Sequence, residues 1–288
     1  MDRMTAGMKK GSRPKGPTLD EATFQNLRRR ITSTSGIYVL SDENSRFLLE
    51  RRLMPRLRRR GICSFPEYEA LLDADELDEM LDVVAVHETY FFREKRQLKV
   101  FSEQIIPELA RGGGPIRIWS AGCSTGEEAY TIAMLLAEEG LLDGRSEVIA
   151  SDLSNRVIES GKRGVYGASS FRTTEPHFKG KYFGEIGKGL WRANDALQSA
   201  LRFERANLVG PGEAAERNSL GADDGFDVIF CRNVLMYFDE AAVKKTLSTV
   251  YPLLKDGGYL LLGHAESLLP IGSGFKAVQI GRELIHKK

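Results

Sequence analysis

The sequence has no run of about 18 or more apolar residues, so a transmembrane helix is not expected. Its basic beginning has no apolar core of the kind found in signal peptides, and we interpret residues 1–18 as a disordered leader. Only three cysteines and four histidines occur among 288 residues, and their spacing is not that of metal ligands. We therefore expect a cytoplasmic protein with reduced thiols, no metal site and no segment inserted in a membrane.

The sequence also lacks a large net charge, but its basic and acidic residues are unevenly distributed along the chain. The net charge is +1. Residues 1–60 contain 15 Lys and Arg against 6 Asp and Glu, whereas residues 61–288 contain 26 against 34. This asymmetry predicts that the N-terminal part contacts an acidic partner. A nucleic acid, an anionic membrane surface and an acidic protein would each satisfy it.

Helical periodicity dominates residues 19 to about 110. Leu49, Leu53 and Leu57 recur every four positions, which predicts an amphipathic helix that ends at Gly61. We assign residues 19–85 to an N-terminal helical domain. The outer faces of this helix are basic, and the arginines that we expect to dock a substrate are Arg51, Arg52, Arg56 and Arg59.

Two later apolar stripes predict further helices before the glycine-rich break at residues 112–114. The first stripe consists of Leu77, Leu81 and Val84, and the second consists of Leu98, Phe101, Ile105 and Leu109.

Beyond residue 115 the pattern changes to alternating strands and helices. Strands are predicted at 116–121, 147–152, 201–207, 227–233 and 258–263, helices at 127–139, 154–162 and 240–254, and a final hairpin at 275–286. This alternation predicts an α/β domain with a doubly wound, mostly parallel sheet, to which we assign residues 86–288. Residues 166–200, rich in glycine and aromatic residues, interrupt the alternation and predict a small inserted subdomain of antiparallel strands.

The most informative motif follows the first predicted strand, where residues 120–128 read Ser-Ala-Gly-Cys-Ser-Thr-Gly-Glu-Glu. Small residues such as Gly122 at a strand-to-helix turn let a ligand approach the backbone closely. Asp152 ends the second predicted strand, where doubly wound sheets place the carboxylate that binds a ribose. Glu127 would repel a pyrophosphate, but it suits the amino group of a methionine moiety. The pattern therefore predicts S-adenosylmethionine as the cofactor.

The same loop admits two other interpretations. Residues 122–126 match G-x-S-x-G, the nucleophile elbow of serine hydrolases, with His264 available downstream. That elbow normally follows several strands of the same sheet, whereas the sequence before this loop is helical. The other interpretation is a glycine-rich turn without a ligand, and the position of Asp152 argues against it.

Three further segments combine with this loop. Residues 87–94 read His-Glu-Thr-Tyr-Phe-Phe-Arg-Glu, Asn207 and Leu208 end the third strand, and residues 230–239 read Phe-Cys-Arg-Asn-Val-Leu-Met-Tyr-Phe-Asp. Together they closely resemble the chemotaxis receptor methyltransferases of the CheR type, over roughly residues 19–285. The resemblance implies the domain arrangement described above. It also implies transfer of a methyl group from S-adenosylmethionine to receptor glutamates, which gives glutamate methyl esters.

The resemblance also implies roles for individual residues. Arg93 and Tyr237 would border the reacting carboxylate and are the expected catalytic residues. The family usually has Asn where this chain has His87, although an imidazole can still donate one hydrogen bond. The expected cofactor-binding set is His87, Thr89, Arg93, Gly122, Glu127, Asp152, Asn207, Leu208, Arg232 and Asn233.

The implied partners are the cytoplasmic helices of methyl-accepting chemoreceptors. Some family members bind a receptor tail peptide through a longer loop of the inserted subdomain, whereas residues 183–191 of this chain are short by comparison. We therefore expect recognition without a tail peptide, and a monomeric enzyme.

Two alternative functions stay open on the sequence alone. The first is a methyltransferase for RNA or a small molecule, but the basic helix has no interleaved aromatic residues for base stacking, so we expect no nucleic acid. The second is a non-catalytic module that senses the cofactor, and the presence of Arg93, Asp152 and Tyr237 argues against it.

Overall fold

The computed structural model of the protein describes residues 16–210, 212–268 and 274–288. Of the predicted leader, residues 1–15 lie outside the described residues. The chain divides into a helical unit, with the described residues up to Arg30 and Val39–Val84, and a sheet unit, with Ile31–Tyr38 and Ala85–Lys288. Residues 31–38 thus belong to the sheet unit, although the helical unit precedes and follows them in the sequence.

The helical unit takes its structure from amphipathic periodicity and clear helix ends. Its helices are α1 (Glu21–Ser35, of which the last residues belong to the sheet unit), α2 (Glu43–Arg60), α3 (Phe65–Ala70) and α4 (Ala74–Val84). As predicted, α2 buries Leu49, Leu53 and Leu57. The Asp42 side chain caps its first turn, and Gly61 ends it with φ of 68°, in the left-handed region that glycine favours.

The predicted buried stripe of α4 is partly wrong. Leu81 and Val84 are buried, but Leu77 is only half-buried, and Met80 and Glu76 take positions in the interior. The buried face of α4 is therefore rotated from the predicted one. The apolar pattern could not show this, because Glu76 is buried through ion pairs with Arg56 and Arg60 of α2. A charge that is paired and hydrogen-bonded can occupy an interior position that a sequence pattern reserves for apolar residues.

The sheet unit contains a large mixed sheet and a small antiparallel one. The strands are β1 (Ile116–Ala121), β2 (Ser146–Asp152), β3 (Val165–Gly167), β4 (Phe183–Gly187), β5 (Leu190–Ala193), β6 (Leu201–Arg205), β7 (Phe226–Cys231), β8 (Leu254–Leu262), β9 (Lys276–Ile280) and β10 (Glu283–Lys287). The large sheet has the order β6-β2-β1-β7-β8-β10-β9, in which the first five strands are parallel and the last two antiparallel.

Helices cover both faces of this sheet. The helices of the sheet unit that follow residue 85 are α5 (Lys95–Val100), α6 (Ile106–Arg111), α7 (Glu127–Glu138), α8 (Asn155–Arg163), α9 (Pro176–Tyr182), α10 (Asp195–Ser199), α11 (Glu213–Leu220) and α12 (Glu240–Leu253). Successive residues of β1 point to opposite faces, so Ile118 joins a cluster with Ile132 of α7, and Trp119 joins another with Val250 of α12. The predicted doubly wound α/β fold is confirmed.

Three local features differ from the sequence predictions. The predicted helix through Leu98 and Ile105 is divided between α5 and α6 by a π-helical turn, Phe101–Ile105, which keeps its apolar residues on the core. The inserted subdomain has the predicted antiparallel strands, in the order β3-β5-β4, but it also includes helices α9 and α10. Helix α11 was not predicted. No helix in the described part of the chain is long and apolar enough to span a membrane.

Candidate functional site

The parallel strands β1, β2 and β7 bring the predicted site residues to one edge of the sheet. Their carboxyl ends lead into the loop at residues 122–126, into Asp152, and into Arg232 and Asn233. Ligands of doubly wound sheets bind outside the carboxyl ends of the strands. The topology therefore gathers motifs that lie more than a hundred residues apart in the sequence.

The loop after β1 is held tightly against the sheet. The backbone amides of Gly122 and Cys123 both donate to the carbonyl oxygen of Ser151 at 2.8 Å. Gly122 has φ of +77°, and a Cβ atom there would lie 2.5 Å from Cγ2 of Val234. Only glycine satisfies both the left-handed backbone and this close approach. The glycine predicted from cofactor binding is therefore also required by packing.

Asp152 connects the loop to the next helix. One carboxylate oxygen accepts the Ser124 amide at 2.9 Å, and the other accepts the Ser154 amide at 3.0 Å. A carboxylate oxygen can accept more than one hydrogen bond, so these two backbone contacts do not by themselves prevent a hydroxyl from binding. Asp152 is half-buried at the strand end where the sequence predicts a ribose.

Glu127 begins α7 with its side chain almost buried, since the residue is only 3% exposed. Its carboxylate accepts the hydroxyls of Thr125 at 2.6 Å and Ser170 at 2.9 Å. Burial raises the pKa of Glu127 above its ordinary value, although these hydroxyls oppose the shift. A carboxylate that has lost most of its water gains strongly from a cationic partner, such as an ammonium group.

Arg232 forms the centre of a buried charge cluster on the other side of β1. Its side chain is 2% exposed, and it donates to the carbonyl oxygen of Arg93 at 2.6 Å. It also contacts the carboxylates of Glu94 at 3.0 Å and Glu128 at 3.3 Å. Its guanidinium is therefore committed to internal partners, and only Nε makes no hydrogen bond within the described residues. The cofactor contact of Arg232 stays a prediction, since both terminal nitrogens already bind protein oxygens.

Glu94 organises this side of the site, and the sequence did not reveal it. Its carboxylate also accepts the Asn233 side-chain amide at 3.2 Å and the His264 amide at 3.2 Å. Burial raises the pKa of Glu94, but the charge and hydrogen bonds of Arg232 outweigh it and lower the pKa to about 2. Glu94 therefore stays ionised and holds Asn233 beside Arg232.

The segment before α5 lies beside the loop. The carbonyl oxygen of His87 accepts the Ser124 hydroxyl at 3.2 Å. The Arg93 side chain is half-buried, and it donates to the carbonyl oxygen of Glu88 at 2.9 Å. Thr89 is also half-buried. This segment therefore stands next to the cofactor loop, as the resemblance implies.

The remaining predicted residues come from the loops after β6 and β7. Leu208 is buried. The Asn207 side chain donates to the carbonyl oxygen of Thr34 at 2.8 Å and accepts the Val209 amide at 3.1 Å. Tyr237 is half-buried, and its hydroxyl makes no hydrogen bond to another residue in the described part of the chain. That hydroxyl is a polar group available to a ligand.

Glu266 is a further residue that the sequence gave no reason to select. Its carboxylate accepts the backbone amides of Gly263 at 2.7 Å, Asn233 at 2.8 Å and Met236 at 3.1 Å. Asn233 has φ of 59°, a left-handed conformation that needs such support in a residue other than glycine. Glu266 therefore maintains the turn that carries Asn233.

The predicted docking arginines of the helical unit differ in their exposure to solvent. Arg51, Arg52 and Arg59 are exposed on α2. Arg56 is only 14% exposed and forms two hydrogen bonds of 2.6 Å with the buried carboxylate of Glu76. The structure therefore removes Arg56 from the docking set, because its charge is neutralised within the unit.

The groups at the strand ends fit the predicted cofactor. Asp152 offers a carboxylate for a ribose, and Glu127 offers a desolvated carboxylate for an ammonium group. Two acids at the start of α7, Glu127 and Glu128, make the loop unsuitable for a pyrophosphate, which would bring further negative charge. The chemistry of these acceptors therefore matches a nucleoside with a cationic amino-acid end.

Comparison with known proteins gives two matches to family models. The all-alpha domain of CheR methyltransferase matches residues 22–85, and the SAM binding domain of CheR methyltransferase matches residues 87–283. Chemotaxis protein methyltransferase 2 of Vibrio cholerae is 33% identical over 265 residues, which cover 89% of each chain. Chemotaxis protein methyltransferase 1 of Pseudomonas aeruginosa is 32% identical over 277 residues, 92% of this chain and 97% of that one. The chemotaxis protein methyltransferase of Salmonella typhimurium is 34% identical over 257 residues, 86% and 85% of the two chains.

Proposed function

The chain belongs to the CheR family of S-adenosylmethionine-dependent chemotaxis methyltransferases, and we propose that it methylates glutamate side chains of methyl-accepting chemoreceptors. The product would be a glutamate methyl ester, formed in the cytoplasm by a monomeric enzyme. The observation that carries this proposal is the arrangement of acceptors at the strand ends. In this proposal Asp152 and Glu127 bind the cofactor, and Arg93 and the Tyr237 hydroxyl bind the acceptor carboxylate.

The proposed reaction needs little chemistry from side chains. S-Adenosylmethionine supplies, when bound, a methyl group on a sulfonium that a carboxylate can displace. A glutamate carboxylate is already ionised at neutral pH, because its ordinary pKa is about 4.3, so no general base is needed. Arg93 and Tyr237 bind and orient that carboxylate, and the site excludes water from it. Alignment of this kind can lower a barrier by roughly 7–11 kcal/mol.

We further propose that α2 docks the cytoplasmic helices of the receptor. Its exposed face carries Arg51, Arg52 and Arg59, and the guanidinium of Arg51 lies 5.7 Å from the ring centre of Phe47. Phe47 and Leu48 are more than half exposed beside these arginines. Acidic helices with apolar residues at helical spacing would match a face of this composition.

Recognition without a receptor tail peptide is part of the proposal. Strands β4 and β5 of the inserted subdomain are joined by Lys188 and Gly189 alone, both with positive φ. A two-residue hairpin turn of this kind offers little surface for an extended peptide.

The decisive test supplies methyl-labelled S-adenosylmethionine and receptor-enriched membranes to the full chain. We expect label on receptors that is released by mild base, as an ester requires. Asp152→Ala should lower cofactor affinity at least about tenfold, because two charge-assisted hydrogen bonds of about 1.5–3 kcal/mol each are lost. Tyr237→Phe removes only a hydroxyl and should lower kcat more than cofactor affinity. Base-stable label, or label on RNA, would contradict the ester.

The docking proposal is tested by charge reversal on α2. The double variant Arg51→Glu with Arg59→Glu should raise the apparent KM for receptor at least about tenfold at low salt, with unchanged cofactor affinity. Salt should weaken wild-type activity steeply, since exposed charges are screened over about 8–10 Å near physiological ionic strength. The matched control reverses two exposed arginines of the sheet unit, Arg111 and Arg163, which end α6 and α8. Equal KM increases in both double variants would show a general charge effect and no docking by α2.

A further inference from the structure

The segment Ile31–Tyr38, here called the bracing segment, contacts two of the predicted site residues from a distant part of the sequence. It lies within the range of the all-alpha family domain, residues 22–85, but it folds with the sheet unit. Ile31 and Ser35 are buried, and the Ser35 hydroxyl donates to the carbonyl oxygen of Ile31 at 2.8 Å. The bracing segment is therefore an ordered part of the sheet unit.

The first contact of the bracing segment holds the side chain of Asn207. The carbonyl oxygen of Thr34 accepts the Asn207 side-chain amide at 2.8 Å. The oxygen of the same side chain accepts the Val209 amide at 3.1 Å. Because the two ends of the amide group are held from different directions, the orientation of Asn207 depends on the position of Thr34.

The second contact is with the backbone of Tyr237 and its neighbour. The Tyr38 amide donates to the carbonyl oxygen of Tyr237 at 2.7 Å, and Ile37 forms an antiparallel bridge with Phe238. The other backbone group of Tyr237, its amide, donates to the carbonyl oxygen of Val234 at 3.1 Å. The bracing segment thus supplies one of two backbone hydrogen bonds that place Tyr237.

Gly36 lets the bracing segment approach both neighbours. It has φ of +75°, and a Cβ atom there would lie 2.9 Å from Cγ1 of Val209 and 3.1 Å from Cβ of Ala242. The same Cβ would lie 3.4 Å from Cδ1 of Phe238. Any side chain at position 36 would therefore press on the residues that follow Asn207 and Tyr237.

We propose that the bracing segment is a positioning element of the methyltransferase site, which sets Asn207 for the cofactor and Tyr237 for the acceptor carboxylate. The site in the sheet unit then needs residues 31–38, which come before Val39–Val84 of the helical unit in the sequence. This inference rests on the proposed roles of Asn207 and Tyr237. Its consequence is that a substitution at Gly36, which is not among the expected cofactor-binding residues, changes cofactor binding and turnover in folded protein.

The test compares Gly36→Ala with Gly113→Ala in the full chain. Gly113 has φ of +70°, and an added Cβ there has nothing within 4 Å, so both variants carry the same backbone strain but only one carries the clash. By calorimetry with S-adenosylhomocysteine, Gly36→Ala should bind about tenfold more weakly, as overpacking by one methyl group allows, with a stoichiometry near one. A purely structural defect would lower the stoichiometry of binding and leave Kd unchanged.

Two further variants make the outcomes distinct. Val209→Ala combined with Gly36→Ala removes the Cγ1 atom that the new methyl group meets, so it should restore much of the lost affinity. Asn207→Ala should weaken binding about tenfold by itself. If Asn207→Ala leaves Kd unchanged, the assigned role of Asn207 fails. If Asn207→Ala weakens binding while Gly36→Ala matches Gly113→Ala in Kd and kcat, the bracing segment is not a positioning element.

Discussion

The two units each contain a buried cluster of carboxylate and arginine, and the clusters differ in how their charges are satisfied. In the helical unit, Glu76 is 1% exposed and receives two hydrogen bonds of 2.6 Å from Arg56. In the sheet unit, Arg232 is shared between Glu94 at 3.0 Å and Glu128 at 3.3 Å. One cluster is a buried acid between cations, and the other is a buried cation between acids.

This difference separates a stabilising cluster from a site cluster. The arginines around Glu76 reach towards water, since the Arg60 side chain is 40% exposed and Arg56 also contacts the exposed Glu79. Arg232 has no such route, and its cluster adjoins the predicted catalytic segment through the carbonyl oxygen of Arg93. The first cluster holds α2 to α4. The second holds the residues of the candidate site in place, although burying its charges costs free energy.

Loss of Glu94 should have the largest effect. Glu94→Ala leaves Arg232 buried without its closest carboxylate, and breaking a buried pair in this way costs about 3–5 kcal/mol. Urea unfolding followed by tryptophan fluorescence measures this selectively, because both tryptophans, Trp119 and Trp191, lie in the sheet unit. Methyl transfer should fall as well.

The control for this variant is Glu88→Ala. Glu88 lies on the same segment, is 72% exposed and pairs with Arg172, so its removal should change the free energy of unfolding by no more than about 0.5 kcal/mol. Equal fluorescence transitions in both variants would show that Arg232 is rehydrated as easily as a surface arginine.

Loss of Glu76 should have a smaller effect in the other unit. Glu76→Ala frees Arg56 and Arg60 to turn towards water, so we expect a loss of about 1–3 kcal/mol. The part of the helical circular dichroism signal that comes from α1–α4 should be lost at lower urea, while the tryptophan transition stays in place. Glu79→Ala, on the same helix but 53% exposed, should change neither transition measurably. A shift of the tryptophan transition in Glu76→Ala would contradict the separation of the clusters.

The smallest expected effects are on how stability depends on pH. Glu94 and Glu127, both in the sheet unit, should contribute to this dependence with opposite signs. The pKa of Glu94 is lowered to about 2, so its stabilisation is present above an unfolded pKa of about 4.3 and is lost as pH falls towards 2. The difference in stability between wild type and Glu94→Gln should therefore shrink on acidification.

Glu127 provides the opposite case, because burial raises its pKa. Its contribution is fully present below the unfolded pKa and is lost as pH rises through the folded pKa. Glu127→Gln should therefore gain stability relative to wild type as pH rises. Urea unfolding from about pH 2 to pH 8, which covers both sides of the ordinary glutamate pKa of about 4.3, measures both variants. The same sign of pH dependence in both would contradict the contrast.

Local patterns in the sequence identified the residues that stand at the end of a strand or at the start of a helix. Asp152 ends a strand and Glu127 begins a helix, so strand and helix periodicity placed both at the same edge of the sheet. Glu94 could not be found in this way, because its partner Arg232 lies 138 residues away. Glu266 supports Asn233 across 33 residues by accepting backbone amides, which no side-chain pattern records. The same limit explains Arg56, whose ion pair with Glu76 only the packing of α2 on α4 revealed.

The sequence by itself determined the fold class, the family, the cofactor and the strand-end acids, because periodicity and short motifs depend on neighbours along the chain. Only the tertiary structure decided which charges are committed to internal partners and which remain available. It also placed the bracing segment against Asn207 and Tyr237, although the sequence analysis assigned that segment to the N-terminal helical domain. The reason is physical: burial and hydrogen bonding between distant segments depend on how the elements pack, and packing sums contributions from the whole chain.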